Sequence, residues 1–572
     1  MRAEMKEKKL NVDLYISDKS RVTLEEVKNI FRDAEDKNIK TVHFGKGIYC
    51  LTEWECRETL SIAHDDGCGD IQEKDCHIYL ENLENLTLEG ECTETGEPAT
   101  VLAGFNSRIS QTLLPSVLWV ENCKNLTIEN LAFTRKPECA SAGEIVKIEK
   151  GCIFVSVFPG NPCYDKMAAY CMNRFSLKEK ALLGESLTYG FGYDRCFSFV
   201  GERLLMLEDE ELSSKVQVGE GLSWHQAGKT DFQLFFGRCD DLKLKNVRIY
   251  NTNSYAVLTE NCRNIWAERF VIKPEGNQFF TGPRDGWKIY RCTGNVRIEN
   301  CVTEGVRMDG QNVHSNFLIA EKIISDKELL AVCRYAPISM REDFEVQFYN
   351  HTESETRKCS SWEILGSYFE EPEKEVAEGA AVKREAPHRM TRYRICFSER
   401  MPHFVKEGTL MSASCWEPEW YSCKHNVYRN IAGAGHLLRC KNVEISDCTY
   451  ENMMNAGVLI GAEFDTHCEG GHGEDINIHN CTFRNCGTKE RYGKFGRGCI
   501  SIKSQGFSAP VNKRIKIKKN VFESSDRALE IRDVQNGEIS GNEYRNIRED
   551  IFVEKETVEN ILIEESERKE LL

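Results

Sequence analysis

The chain has 572 residues, with 75 Lys plus Arg against 91 Asp plus Glu and a formal charge of −16. That balance, with no Lys/Arg stripe of the kind that holds phosphates, argues against a nucleic-acid or anionic-membrane partner. The longest apolar runs, such as Cys152 to Phe158, fall far short of the ~18 residues a membrane span needs, and no Ser/Pro/Gly tract suggests a disordered linker.

The first residues, Met1 to Lys9, lack the apolar core of an export signal, so a cytoplasmic protein is expected. Thr23-Leu-Glu-Glu26 is a capping box ahead of Val27, Ile30 and Phe31 at helical spacing, which predicts a helix over the end of the domain. From there a short phrase recurs: Asn or Asp, an aliphatic, any residue, an aliphatic. It begins at Asn85, Asn125, Asp241, Asn264, Asn295, Asn442, Asp475 and Asn536, with Arg514 as a variant. The shortest spacings are 22 and 23 residues, from 514 to 536 and from 241 to 264. Alternation over four to six residues means short strands, which bury a face only by stacking coil on coil. The expected fold is all-β: a right-handed parallel β-helix.

Cysteine fits the same picture. Many of the 26 cysteines follow Asn or Asp, as at Cys123, Cys262, Cys301, Cys448 and Cys481, and no CxxC pair occurs. They read as small buried positions stacked in ladders, neither disulfides nor zinc ligands. Lys513, Arg514, Lys516, Lys518 and Lys519 alternate with isoleucines and read as the solvated face of a strand.

Two stretches lack the phrase and carry alternating strands such as Glu144 to Ile148 and Phe344 to Phe348. Each is expected to be an inserted antiparallel β-barrel-like subdomain. The expected divisions are 1–134 (cap and first coils), 135–232 (first insertion), 233–316 (central coils with the site), 317–420 (second insertion), 421–554 (last coils) and 555–572 (a polar tail). Residues 370–385, charged and rich in Ala and Gly, are expected to form a mobile loop.

The central coils hold the candidate chemistry. Asp309 follows Asp285 by 24 residues, about one coil, so the two carboxylates are expected on neighbouring coils of one face. Strands lie ~4.8 Å apart, which with some offset permits the separations that glycoside hydrolysis uses. Around them lie Arg284, Trp287, Lys288, Arg307, Asn312 and His314. A later loop adds Glu463, Asp465, His467, Glu469 and His472, whose spacing matches no zinc motif, so no metal is assigned. Trp266, Trp287 and Trp362 have faces suited to sugar rings, although an unplaced Trp is more often core.

At these residues the sequence resembles glycoside hydrolase family 110, α-1,3-galactosidases acting on blood-group B and linear α-galactose termini. The resemblance runs through Tyr79 to Gly90, Val120 to Ile128, Asp285 to Gly305, Met308 to His314 and Asn452 to Gly461. It implies a β-helix with two inserted barrels and an inverting, exo-acting enzyme on oligosaccharides, with no cofactor. Asp285 and Asp309 are implied as catalytic carboxylates, and Asn312, His314 and Glu469 as substrate contacts. Three positions depart from the family. Met308 stands where the first of two consecutive Asp is usual, and methionine cannot donate a proton; Lys288 replaces a His; Ala462 replaces an Asp. The acid is then expected from Glu463, with Asp465 and Glu304 as alternatives. A polysaccharide lyase or uronate epimerase using Lys288, Arg284 or Arg307, and a carbohydrate-binding relative without turnover, are the competing readings. The sequence leaves a homo-oligomer open.

Overall fold

The computed structural model describes residues 9–59, 72–105, 115–188, 195–226, 232–334, 340–341, 343–350, 354–370, 388–463, 469–488, 497–504, 511–565 and 568–571. Three sheets of 16, 11 and 13 strands, here A, B and C, run almost wholly parallel and stack into a β-helix. One coil shows the plan. Thr293–Glu299 lies in sheet A, Val302–Glu304 in sheet B and Gln311–Asn316 in sheet C.

The repeated phrase has a backbone cause. Its opening residue sits in the left-handed region, with φ of 57° at Asn85, 50° at Asn125, 58° at Asn264 and 56° at Asn442, whereas before Asn295 it is Gly294 that does so, at 67°. The residue before the recurring cysteine does the same, with φ of 54° at Asn122, 53° at Asn261, 56° at Asn300 and 55° at Asn480. Asn and Asp tolerate this conformation better than other side chains with a Cβ, so they fill most of the corners, while residues such as Arg238, Arg291 and Arg514 hold others. Between the corners, alternate residues point inward. Leu242, Ile265, Val296, Tyr421, Val443, Ile476 and Ile515 form one continuous column through sheet A, all buried. Removing each such side chain from water contributes about 1.5–3 kcal/mol.

Every described cysteine is a free thiol. Cys423 and Cys448 stack with sulfurs 3.9 Å apart, and the Cys448 N–H faces the Cys481 sulfur at 3.5 Å. The run at 513–519 alternates as expected, with Ile515 and Ile517 inward and Arg514 and Lys516 exposed. Thr23 caps the helix Leu24–Asp36, and Val27, Ile30 and Ala34 close the first coil.

The two insertions leave at different corners. The first, from Ala140 to His225, interrupts the path from sheet B to sheet C. It is an eight-stranded antiparallel sheet whose edge strands are not paired with each other among the described residues. The second follows the sheet C strand Gln311–Asn316 and closes as a six-stranded antiparallel barrel. The expected mobile loop lies, apart from Glu370, outside the described residues.

The C-terminus corrects the expectation of a polar tail. Val558–Glu559 and Leu562–Glu565 add another rung to sheet A, with Ile561 and Ile563 buried beneath it. The segment is polar on its outer face only; two inward isoleucines are enough to continue the coil.

Candidate functional site

The outer face of sheet C in the central coils lies between the two insertions. Asp285 and Asp309 occupy the same place on successive coils, at the corner leading from sheet B into sheet C. The main-chain ladder fixes the equivalence: Ala256 N–H donates to Asp285 O at 3.2 Å, Gly286 N–H to Asp309 O at 2.9 Å, and Gly310 N–H to Ala434 O at 2.8 Å. The side chains follow the same rule. Asp309 N–H donates to Asp285 Oδ1 at 3.2 Å, and Ala434 N–H donates to Asp309 Oδ1 at 2.8 Å. Equivalent bonds place equivalent oxygens one coil apart, about 4.8 Å. Asp285 is buried and Asp309 half-buried.

Next along the face come Lys288 and Asn312, paired in register, then Tyr290 and His314. Lys288 is buried, with Nζ 5.7 Å from the Tyr255 ring centre and 5.8 Å from that of Tyr290. Arg284 donates to Tyr255 Oη at 2.8 Å. The His314 ring packs against Tyr290 at 4.9 Å. Burial pushes the His314 pKa down to about 3, against the opposing pull of Glu469. The ring is therefore neutral at neutral pH. Its Nδ1 lies 2.8 Å from Ser315 O and must carry the proton, which leaves Nε2 as an acceptor.

The later loop folds back onto this face. Glu469–Gly470 pairs antiparallel with Ser315–Asn316, and Glu463 bridges Glu469. Glu469 Oε1 then stands 3.6 Å from His314 Nε2, while Oε2 accepts from Arg439. His314 Nε2 and Asn312 Oδ1 are buried acceptors with no hydrogen-bond partner among the described residues. Two such acceptors beside a carboxylate suit a ligand that brings hydroxyl donors.

The structure thus brings Arg284, Asp285, Lys288, Asp309, Asn312, His314 and Glu469 to one face, with Glu463 alongside. It does not bring Trp287. That side chain points inward, buried in the solenoid, with Nε1 donating to Thr259 Oγ1 at 3.2 Å. Its neighbour Lys288 faces outward, so period-two alternation excludes Trp287 from the face. Trp266 lies on sheet A under Lys245, and Trp362 packs against the barrel core. Glu304 is on sheet B, paired with Arg429 at 3.4 Å. Asp465 and His467 lie outside the described residues.

Sequence reasoning missed Tyr255, Tyr290 and Arg439. Tyr290 is two residues beyond Lys288 and so on the same face, and Arg439 is the coil equivalent of His314. Coil arithmetic carries both signals.

No family model matches the chain. It is similar to alpha-1,3-galactosidase A of Bacteroides thetaiotaomicron, 22% identical over 505 residues, 84% of this chain and 81% of that protein. It is also similar to alpha-1,3-galactosidase B of Phocaeicola vulgatus, 24% identical over 313 residues. That match covers 52% of this chain and spans half (50%) of the relative's length. These are distant homologues over much of the chain. Among solved structures, the A-module of a mannuronan C-5 epimerase from Azotobacter vinelandii is 7% identical with a TM-score of 0.42, covering 95% of this chain and 97% of that one. The catalytic domain of an alpha-1,3-glucanase in complex with nigerose is 11% identical with a TM-score of 0.38, covering 96% and 68%.

Proposed function

We propose that the chain is a glycoside hydrolase of family 110 type, an inverting, exo-acting enzyme that removes terminal α-1,3-linked sugars, galactose first among them, from oligosaccharides. The observation that carries this reading is the pair of stacked carboxylates, Asp285 and Asp309, beside the two unpartnered acceptors of Asn312 and His314. In this reading the carboxylates hold and deprotonate one water on the face opposite the leaving group. Asn312, His314 and Glu469 accept from sugar hydroxyls. Arg284 and Lys288 balance the acidic cluster, and Glu463, held against Glu469, protonates the leaving oxygen. The chemistry needs no cofactor. The distant α-1,3-galactosidase homologues support the choice of sugar and linkage.

The test is hydrolysis of α- and β-linked glycosides followed by anomeric NMR. β-Galactose released first from an α-1,3-linked disaccharide is expected, with Asp285→Asn and Asp309→Asn each losing about 10³-fold or more in kcat. Full activity in both variants would sink the assignment. Retention of configuration would instead make the pair a nucleophile and an acid, as their spacing of about 5 Å also allows. A second reading, ligand binding without turnover, is favoured by one residue. Met308 sits beside Asp309 and offers no proton. Saturable sugar binding without product across the panel selects that reading.

A further inference from the structure

The loop that carries Glu469 continues through Gly470 and Gly471 into His472, which is fully buried between the solenoid and the inserted barrel. Two glycines let the chain lie flush against the coils. A Cβ on Gly470 would meet the Asn316 carbonyl carbon at 2.5 Å, and one on Gly471 (φ 97°) would meet Arg439 O at 2.0 Å. His472 then reaches away from the site. Its Nε2 lies 3.1 Å from Glu474 Oε2, and its Nδ1 lies 2.8 Å from the hydroxyl of Tyr349, on the barrel strand Glu345–Tyr349. That hydroxyl is also 2.8 Å from Ser412 Oγ, on the barrel strand Leu410–Ala413. A carboxylate on Nε2 makes that nitrogen the donor, so Nδ1 accepts from Tyr349 and Tyr349 accepts from Ser412. Burial holds His472 down to about 4, which keeps this arrangement at neutral pH. Phe317, Ala462, Val511 and Leu410 pack around Tyr349 and seal the seam.

We propose that His472 is a positioning residue, and that the barrel acts on the candidate site through the Ser412–Tyr349–His472 chain, which fixes the strand presenting Glu469. The link to sugar binding rests on the function proposed above; the link to the strand does not.

The test uses the full chain with Tyr349→Phe, which removes one hydroxyl and keeps the ring, and Ser412→Ala, which removes the outer donor together with a hydrogen bond to Glu417. Hydrogen exchange is read on peptides covering 469–474, with the C-terminal coils as internal control. Loss of one net hydrogen bond predicts about fivefold faster exchange there in Tyr349→Phe, a smaller rise in Ser412→Ala, and no change in the control. With an α-1,3-galactoside as substrate, KM rises about fivefold and kcat stays within about twofold. Unchanged exchange at 469–474 in both variants overturns the proposal. Faster exchange with KM unchanged overturns its connection to the sugar site. If the wild type hydrolyses nothing, exchange alone decides whether the barrel holds the strand, and the failure belongs to the proposed function.

Discussion

Gly433 shows how tightly the acidic corner is built. A Cβ there would meet the Met308 carbonyl carbon at 2.5 Å, its oxygen at 2.6 Å and Asp309 Oδ1 at 2.7 Å. The coil above Asp309 therefore admits no side chain at this position without moving the carboxylate. Gly433→Ala is expected to cost about 1–3 kcal/mol, seen as a lower melting temperature. Because the clash falls on Asp309 itself, kcat should fall by about 10²-fold, out of proportion to the stability loss. An Ala variant that melts earlier yet keeps full activity would detach Asp309 from the chemistry. At this scale the sequence was informative where the coil period operates. Asp285 and Asp309 could be paired from their spacing alone. Glu469 could not, because it returns to the face through a loop that folds back antiparallel onto Ser315 and Asn316. Trp287 was misplaced because nothing in a lone Trp says which side of a strand it takes.

Two ladders on the C-terminal coils show how stacking turns single residues into elements. Inside, Tyr428, Tyr450, Phe483, Phe522 and Tyr544 stack with ring centres 5.1, 4.7, 5.2 and 5.6 Å apart. Outside sheet B, Glu304, Arg429, Glu451, Arg484, Glu523 and Arg545 alternate in sign from coil to coil. The outer ladder is partly exposed to solvent, and each of its pairs contributes no more than about 1 kcal/mol. The inner one is different. Tyr450 is fully buried between two rings, and its hydroxyl lies 2.9 Å from His436 Nδ1. Tyr450→Ala should cost about 3–5 kcal/mol, whereas Tyr544→Ala, at the half-buried end of the stack, should cost less than half as much. Thermal melting of both variants checks the order; equal losses would mean that the stack does not bear on stability as packing requires. The solenoid was legible because its corners demand left-handed residues and its strands alternate, both local rules. The first insertion was less so. Whether an antiparallel sheet closes depends on pairing between strands distant in sequence, which periodicity does not encode.

At the scale of the whole molecule, the dense interior makes stability depend on pH through histidines buried without charge. Burial pushes His77 and His314 down to about 3 and His472 down to about 4, and pushes His225 down as well. Each is neutral in the fold but takes a proton near pH 6.5 once unfolded. Below pH 6.5 the unfolded chain therefore binds more protons, and stability falls as pH falls, by about 1.4 kcal/mol per pH unit for each histidine until its folded pKa is reached. Two buried acids work the other way. Burial raises Glu417 to about 7 and Asp533 to about 6. Their stabilising contribution is complete below the unfolded carboxyl pKa and is lost as pH rises through those values. Four histidines outweigh two acids, so the melting temperature should climb from pH 4.5 to about 6.5 and then slip slightly as Glu417 ionises near 7. Replacing His472 with Asn removes one of the four and should reduce the rise of the unfolding free energy over this range by about 1.4 kcal/mol per pH unit, with a correspondingly shallower climb in melting temperature, whatever it costs at neutral pH. A melting temperature that is flat between pH 4.5 and 6.5 would mean that these histidines gain access to protons without unfolding, and that the seam between barrel and solenoid opens more readily than its packing implies.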